Sequence, residues 1–274
     1  MVIKTLCENT SSRDDIGCEH GLSLYIEFNG KKIMVDTGQT DLFYDNSKKM
    51  DVDVSDVDYL ILSHGHYDHG GGIKKFLEVN KKARVFIHNL AFNDYYAKRS
   101  SGNIEYIGID KEIEKSKRIV KTDGNFDIDE DIKLFSCEEH TYPLPASNKG
   151  LLEEINGEMT EDRFLHEQNT VIRDGEKTVL ITGCSHSGIV NILRQFQRLE
   201  GKYPDVVVGG FHLARRSANN NENCGYIDKV GEFLIETGSE YYTCHCTGIR
   251  AYERLRDIMG DKIEYLSAGT VKVI

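Results

Sequence analysis

Residues 64 to 69 read His64-Gly65-His66-Tyr67-Asp68-His69, placing three imidazoles and a carboxylate within six positions. Neutral imidazole nitrogens and carboxylate oxygens are ligands for zinc, iron or manganese. Crowding them without a cation costs desolvation and repulsion for little return. A solvated polar loop is the weaker reading. The run follows the apolar stretch Asp58-Tyr59-Leu60-Ile61-Leu62 and precedes Ile73, Phe76 and Leu77 at helical spacing.

Six residues cannot surround two ions, so other segments must complete the set. Three more strand-like runs end in histidine: Thr178 to Ser185 leads to His186, Val206 to Phe211 to His212, and Tyr241 to Cys244 to His245. A lone histidine after a strand is usually core or surface. Three in one relation to a strand predict convergence at a sheet edge. This makes His186 and His245 metal-ligand candidates, and leaves His212 either a ligand or a catalytic group. His166, just before a strand, is a candidate proton donor, weighed evenly against a hydrogen-bonded turn. Arg215, beside Arg216, is a candidate substrate-phosphate contact, although a solvated pair is the commoner role. Tyr67 reads as a packing ring, His88 and His140 as structural, and Lys111 to Lys121 as a solvated face.

The positioning elements are legible around these residues. Leu22 to Phe28, Asn29-Gly30 and Lys32 to Val35 spell a hairpin, and so do Val171 to Arg173, Asp174-Gly175 and Thr178 to Ile181. Helices are expected near Ile189 to Phe196, Tyr226 to Ile235 and Ile249 to Met259. From about 89 to 163 the pattern weakens. That stretch is expected to be a peripheral insertion with one or two strands, such as Ile132 to Ser136, in a single domain spanning 1–274.

With 274 residues and 39% hydrophobic content the chain can bury a substantial core. A net charge of -11 disfavours a nucleic-acid partner, and no apolar run is long enough to span a membrane. Seven cysteines without framework spacing, behind an N-terminus unlike a signal peptide, predict reduced thiols and a cytoplasmic location. A homo-oligomer is compatible with the sequence.

The turn Asp36-Thr37-Gly38, the run His64 to Gly71 and the later histidines resemble the metallo-β-lactamase superfamily across nearly the whole chain outside the middle segment. The resemblance implies an α/β fold, an αββα four-layer sandwich with a dinuclear site at one edge of its sheets. A narrower likeness lies in Glu19-His20-Gly21-Leu22-Ser23, Gly183 to Asn191, Gly209 to Leu213 and His245-Cys246-Thr247-Gly248. It is to the branch named for 7,8-dihydropterin-6-methyl-4-(β-D-ribofuranosyl)aminobenzene 5'-phosphate synthase, an enzyme of methanopterin assembly. By that likeness His64, His66 and His186 would hold one divalent ion and Asp68, His69 and His245 another. Zinc is the first expectation, and manganese or iron suits the same donors. Asp36 would orient the histidine loop, Asp68 would also serve catalysis, and His20 would line the substrate pocket or pack beside it.

One departure matters. Many hydrolases of the superfamily bridge their metals with the aspartate of a strand-end Thr-Gly-Asp, where this chain has Thr182-Gly183-Cys184. Cys184 is then either a thiolate ligand or a buried inert thiol beside a solvent bridge. Di-iron oxygen-reducing relatives place glutamate where His66 stands and need a flavin domain that the length does not leave. The implied activity is on a small phosphorylated or anionic molecule. It would be condensation of a dihydropterin-methyl diphosphate with a ribofuranosylaminobenzene phosphate, or hydrolysis of an ester, lactone or phosphodiester. A non-catalytic metal-holding sensor is the third expectation, though a purely structural site needs only four ligands.

Overall fold

The computed structural model describes residues 1–137, 139–214 and 222–274. Its first sheet runs Val271–Val273, Val2–Cys7, Ser23–Phe28, Lys31–Val35, Tyr59–Ile61, Arg84–His88, Ile119–Thr122. The second runs Ile263–Tyr265, Glu240–Thr243, Val206–Gly209, Lys177–Ile181, Asn169–Asp174, Ile132–Phe135, Phe126–Asp127. Their inner faces meet in one buried cluster, with Leu24, Ile33 and Ile61 from one sheet and Ile172, Val179 and Val208 from the other. Outside the first sheet, Phe43 of helix Leu42–Lys49 and Phe76 of helix Ile73–Val79 cover Leu60 and Val85. Outside the second, helices Ile189–Glu200, Cys224–Thr237 and Ile249–Met259 bury Phe196, Val230 and Leu255. The result is an αββα sandwich.

Local sequence explains these elements. Val206-Val207-Val208 is buried throughout, as a strand covered on both faces requires. Ile189, Ile192, Leu193 and Phe196 form one buried helical face, closed by Gly201 in the left-handed conformation (φ 74°). Both hairpins form, and Asn29 (φ 48°) with Gly30 (φ 74°) makes the turn between the first pair.

The segment 89–163 departs from the expectation of a peripheral insertion. Among its described residues it holds seven strands, of which Ile119–Thr122, Phe126–Asp127 and Ile132–Phe135 extend the two large sheets. The other four form a third sheet, ordered Glu158–Glu161, Leu151–Ile155, Tyr95–Lys98, Ile104–Tyr106. The weak pattern has a physical reason: strands such as Ile104–Tyr106 and Glu158–Glu161 are exposed along their whole length, so nothing imposes alternation on them. Among the described residues no helix is long and apolar enough to cross a membrane.

Candidate metal centre

The site gathers at one edge of the sandwich because its strands run the same way. Lys31–Val35 is parallel to Tyr59–Ile61, and Lys177–Ile181, Val206–Gly209 and Glu240–Thr243 are mutually parallel in order. Asp36, His64, His186, His212 and His245 all follow the C-terminal ends of these strands. The chain turns sharply there: Asp36 (φ 61°), Ser185 (φ 60°), His212 (φ 50°) and His245 (φ 51°) all have left-handed backbones, strain that clusters at functional sites. Gly183 lets the sheets close, since a Cβ on it would lie 2.1 Å from Ser63 Oγ.

One group consists of His64, His66 and His186, whose ring nitrogens lie within 4.8 Å of one another. The Nε2 atoms of His64 and His186 are buried and have no hydrogen-bond partner, whereas His66 Nε2 lies 3.6 Å from Asp162 Oδ2. The opposite nitrogens explain the orientation. Ser63 Oγ donates to Asp36 Oδ2 (2.7 Å) and so accepts from His64 Nδ1 (2.9 Å), while His186 Nδ1 donates to Asn148 Oδ1 (2.9 Å). Burial, then neighbouring imidazoles, holds His64 and His186 well below the ordinary imidazole range, and burial lowers His66. All three are neutral at physiological pH, as ligation requires.

Asp68, His69 and His245 form the second group. His69 Nε2 lies 3.2 Å from His245 Nε2 and 3.8 Å from Asp68 Oδ2, and His245 Nε2 lies 3.5 Å from the same oxygen. Asp36 accepts from His69 Nδ1 (2.6 Å) and from the Ser63 backbone N–H (2.7 Å), so it braces rings of both groups. Burial alone would lower His69, but Asp36 and Asp68 outweigh it and raise the imidazole to about 9. Burial opposes ionisation of Asp68, yet His69, His20 and His245 hold its carboxyl well below the usual range.

Cys184 stands between the groups, 3.1 Å from His69 Nε2, and burial raises its thiol well above the ordinary value. His20 Nε2 reaches Asp68 Oδ2 at 3.1 Å, and the ring lines the cavity above the site. His212 also lines it, and neither of its buried ring nitrogens has a hydrogen-bond partner. His166, expected as a proton donor, is engaged elsewhere. Its Nδ1 accepts the Gly65 N–H (2.8 Å), its Nε2 faces Asp162 (3.2 Å), and the residue is 1% exposed, so it supports the loop. Arg215 and Arg216 lie outside the described residues.

Sequence reasoning missed the second ring of support. Asn148 Nδ2 donates to the His186 carbonyl (2.8 Å), and Glu167 Oε1 accepts the His186 N–H (2.6 Å). Asn9 Oδ1 faces His245 Nδ1 (2.8 Å), Asn9 Nδ2 donates to the His245 carbonyl (3.3 Å), and Glu8 Oε1 accepts the His245 N–H (2.6 Å). The cavity over the site measures about 890 Å³, large enough for a small organic ligand.

Comparison with known proteins agrees with this geometry. The family model for the metallo-beta-lactamase superfamily matches residues 16–196. The chain belongs to the metallo-β-lactamase superfamily. An uncharacterized protein of Methanocaldococcus jannaschii is 31% identical over 94% of each chain. The 7,8-dihydropterin-6-methyl-4-(beta-D-ribofuranosyl)-aminobenzene-5'-phosphate synthase of the same organism is 29% identical over 92% of this chain and 89% of its own. The crystal structure of Tm1679, described as a metal-dependent hydrolase of the beta-lactamase superfamily, superposes with TM-score 0.82 at 30% identity, covering 100% of this chain and 99% of that one. The superfamily is metal-dependent, and the donors here fit: one ring nitrogen each of His64, His66 and His186 gathers within 4.8 Å beside an imidazole-carboxylate set, with the His64 and His186 Nε2 atoms buried and unpartnered.

Proposed function

We propose that this chain is an enzyme that holds two divalent cations, zinc first, and transforms a small phosphorylated or otherwise anionic molecule. The observation that carries the reading is the convergence of ring nitrogens of His64, His66 and His186 within 4.8 Å beside Asp68, His69 and His245, with His66, Asp68, His186 and His245 lining the cavity. Bound there, the cations would lower the pKa of water and offset charge developing on phosphoryl or carbonyl oxygens. The chain's own part is to fix the rings through Asp36, Asn148 and Asn9, and to present His212 and His20 to the ligand. His212, with both nitrogens unpartnered, is placed to hold or pass a proton at the leaving oxygen.

Within this class, condensation of a dihydropterin-methyl diphosphate with a ribofuranosylaminobenzene phosphate is supported by the synthase-named relative at 29% identity. Hydrolysis is the second reading, supported by the description of Tm1679. The deciding assay offers the protein loaded with zinc, manganese or iron the pterin and aryl phosphate pair, and separately phosphodiesters, esters and lactones. Metal-dependent turnover in one set selects the reaction. Full metal content with no turnover in any set would overturn the enzyme reading in favour of a ligand sensor.

A further inference from the structure

The segment 162–168 leaves the third sheet just past strand Glu158–Glu161 and ends where strand Asn169–Asp174 of the second sheet begins. On the way it touches both loops that carry His64, His66 and His186. The Gln168 N–H donates to the Ser63 carbonyl (2.8 Å), and Gln168 Nε2 donates to the Leu62 carbonyl (2.7 Å). His166 Nδ1 accepts the Gly65 N–H (2.8 Å). Glu167 accepts the N–H groups of His186 (2.6 Å) and Ser187 (3.0 Å). The Phe164 ring stacks on that of His186, with centroids 4.4 Å apart and planes 2° apart.

The segment is bent to make these contacts. Phe164 is buried with φ at 56°, a conformation that a bulky residue keeps only where its surroundings impose it. Asp162 helps impose it, because its Oδ1 accepts the Phe164 N–H (2.7 Å). Its other oxygen faces inward. His166 Nδ1 accepts the Gly65 N–H, so the ring proton sits on Nε2, which donates to Asp162 Oδ2 (3.2 Å). The same oxygen faces His66 Nε2 at 3.6 Å, an electrostatic contact longer than a formed hydrogen bond. The Asp162 side chain is 1% exposed. Burying a carboxylate that deeply is costly. An asparagine would make the same turn without the charge, so the turn does not explain the charge.

We propose that Asp162 is a positioning residue for His66. Its carboxylate holds the Nε2 edge of that ring toward itself and leaves Nδ1 as the nitrogen for a cation. It also strengthens the ring as a donor, as a carboxylate behind a ligating imidazole does. This deepens the two-cation reading above and rests on it. The other half-site draws on a different carboxylate, since Asp36 accepts from His69 Nδ1 (2.6 Å). The effect of Asp162 therefore falls on one cation. It also gives the third sheet a part in the metal centre, because the Asp162 N–H donates to the carbonyl of Leu151 in that sheet (3.1 Å).

The test titrates cobalt(II) into the full chain and into an Asp162→Asn variant, and records proton NMR spectra of both loaded forms. Cobalt(II) moves the ring N–H protons of its histidine ligands out of the crowded spectrum, where their exchange with water can be followed. Asparagine can still accept the Phe164 N–H, so the bend is kept and the charge is lost. One cobalt equivalent should bind about tenfold more weakly in the variant, with the other unchanged. One shifted N–H resonance should move and exchange faster while the rest hold their places. Should the asparagine variant not fold, Asp162→Ser takes its place, since the hydroxyl can accept the same N–H. Unchanged affinity and resonances would overturn the inference and leave Asp162 a partner of His166 only. Movement of all the resonances together would also overturn it, because that marks a loosened site and not one repositioned ring. A parent that takes up no cobalt would overturn the two-cation reading and this inference with it. In a parent that does, the variant judges Asp162 alone.

Discussion

The His186 and His245 loops are held by the same device, supplied from unrelated parts of the chain. In each, a buried glutamate accepts the histidine N–H, Glu167 in one and Glu8 in the other. In each, an asparagine side chain spans the ring Nδ1 and the carbonyl of that histidine, Asn148 in one and Asn9 in the other. The two half-sites differ in what faces inward. His186 joins the imidazoles of His64 and His66, whereas His245 faces His69 and the carboxylate of Asp68. Equal scaffolding around unequal donors gives one all-imidazole position and one with a charged oxygen. On the proposed two-cation reading, the ions would have different surroundings.

The largest effects should come from removing donors. His66→Ala is expected to lose at least one metal equivalent and to abolish turnover, read by elemental analysis and activity. Asp68→Ala should do the same from the other half-site. Full metal content and activity in either would break the assignment. Asp36→Ala comes next, because Asp36 braces His69 directly and His64 through Ser63. Loss of such a brace lowers metal affinity by about 10- to 100-fold, here for both equivalents. The asparagines sharpen the comparison. Asn148→Ala should weaken one equivalent by about tenfold and leave the other, and Asn9→Ala should weaken the complementary one. Identical titrations for these two variants would show that the half-sites are not independent.

The gathering of the candidate donors was legible because His64, His186 and His245 follow strands whose apolar pattern burial imposes, as at Lys177–Ile181 before His186. Layer order was legible from the same runs and the helical spacing at Ile189 to Phe196. The scaffold was not. Asn9 sits in a bend and Asn148 ends the short 3-10 turn Ala146–Asn148, places where asparagine is common for its turn chemistry, and their role exists only through contacts 236 and 38 residues away. His166 misled for a related reason: its position before a strand says nothing of the Gly65 N–H that occupies its Nδ1. The third sheet was hidden because its edge strands face solvent and carry no alternation.

The smallest predicted effect also separates the half-sites. The all-imidazole side is backed by further buried histidines, for His166 supports Gly65, and burial, then His166, lowers His88 to about 4. His88 Nδ1 accepts the Leu90 N–H (3.3 Å), which keeps the neutral ring in place. With the folded value below the unfolded one of about 6.5, the unfolded chain binds more protons between the two. The stability that His88 contributes is thus complete above about 6.5 and is lost as pH falls toward 4. Asparagine can accept the same N–H without titrating. In His88→Asn, chemical denaturation followed from pH 7 to 4 should show a stability loss shallower by up to about one proton. Acid also strips the metals, but it does so in parent and variant alike, so the difference between their slopes isolates His88. Superimposable slopes would mean that His88 is already protonated in the folded protein, and that the backing of the first half-site is not the neutral layer its burial implies.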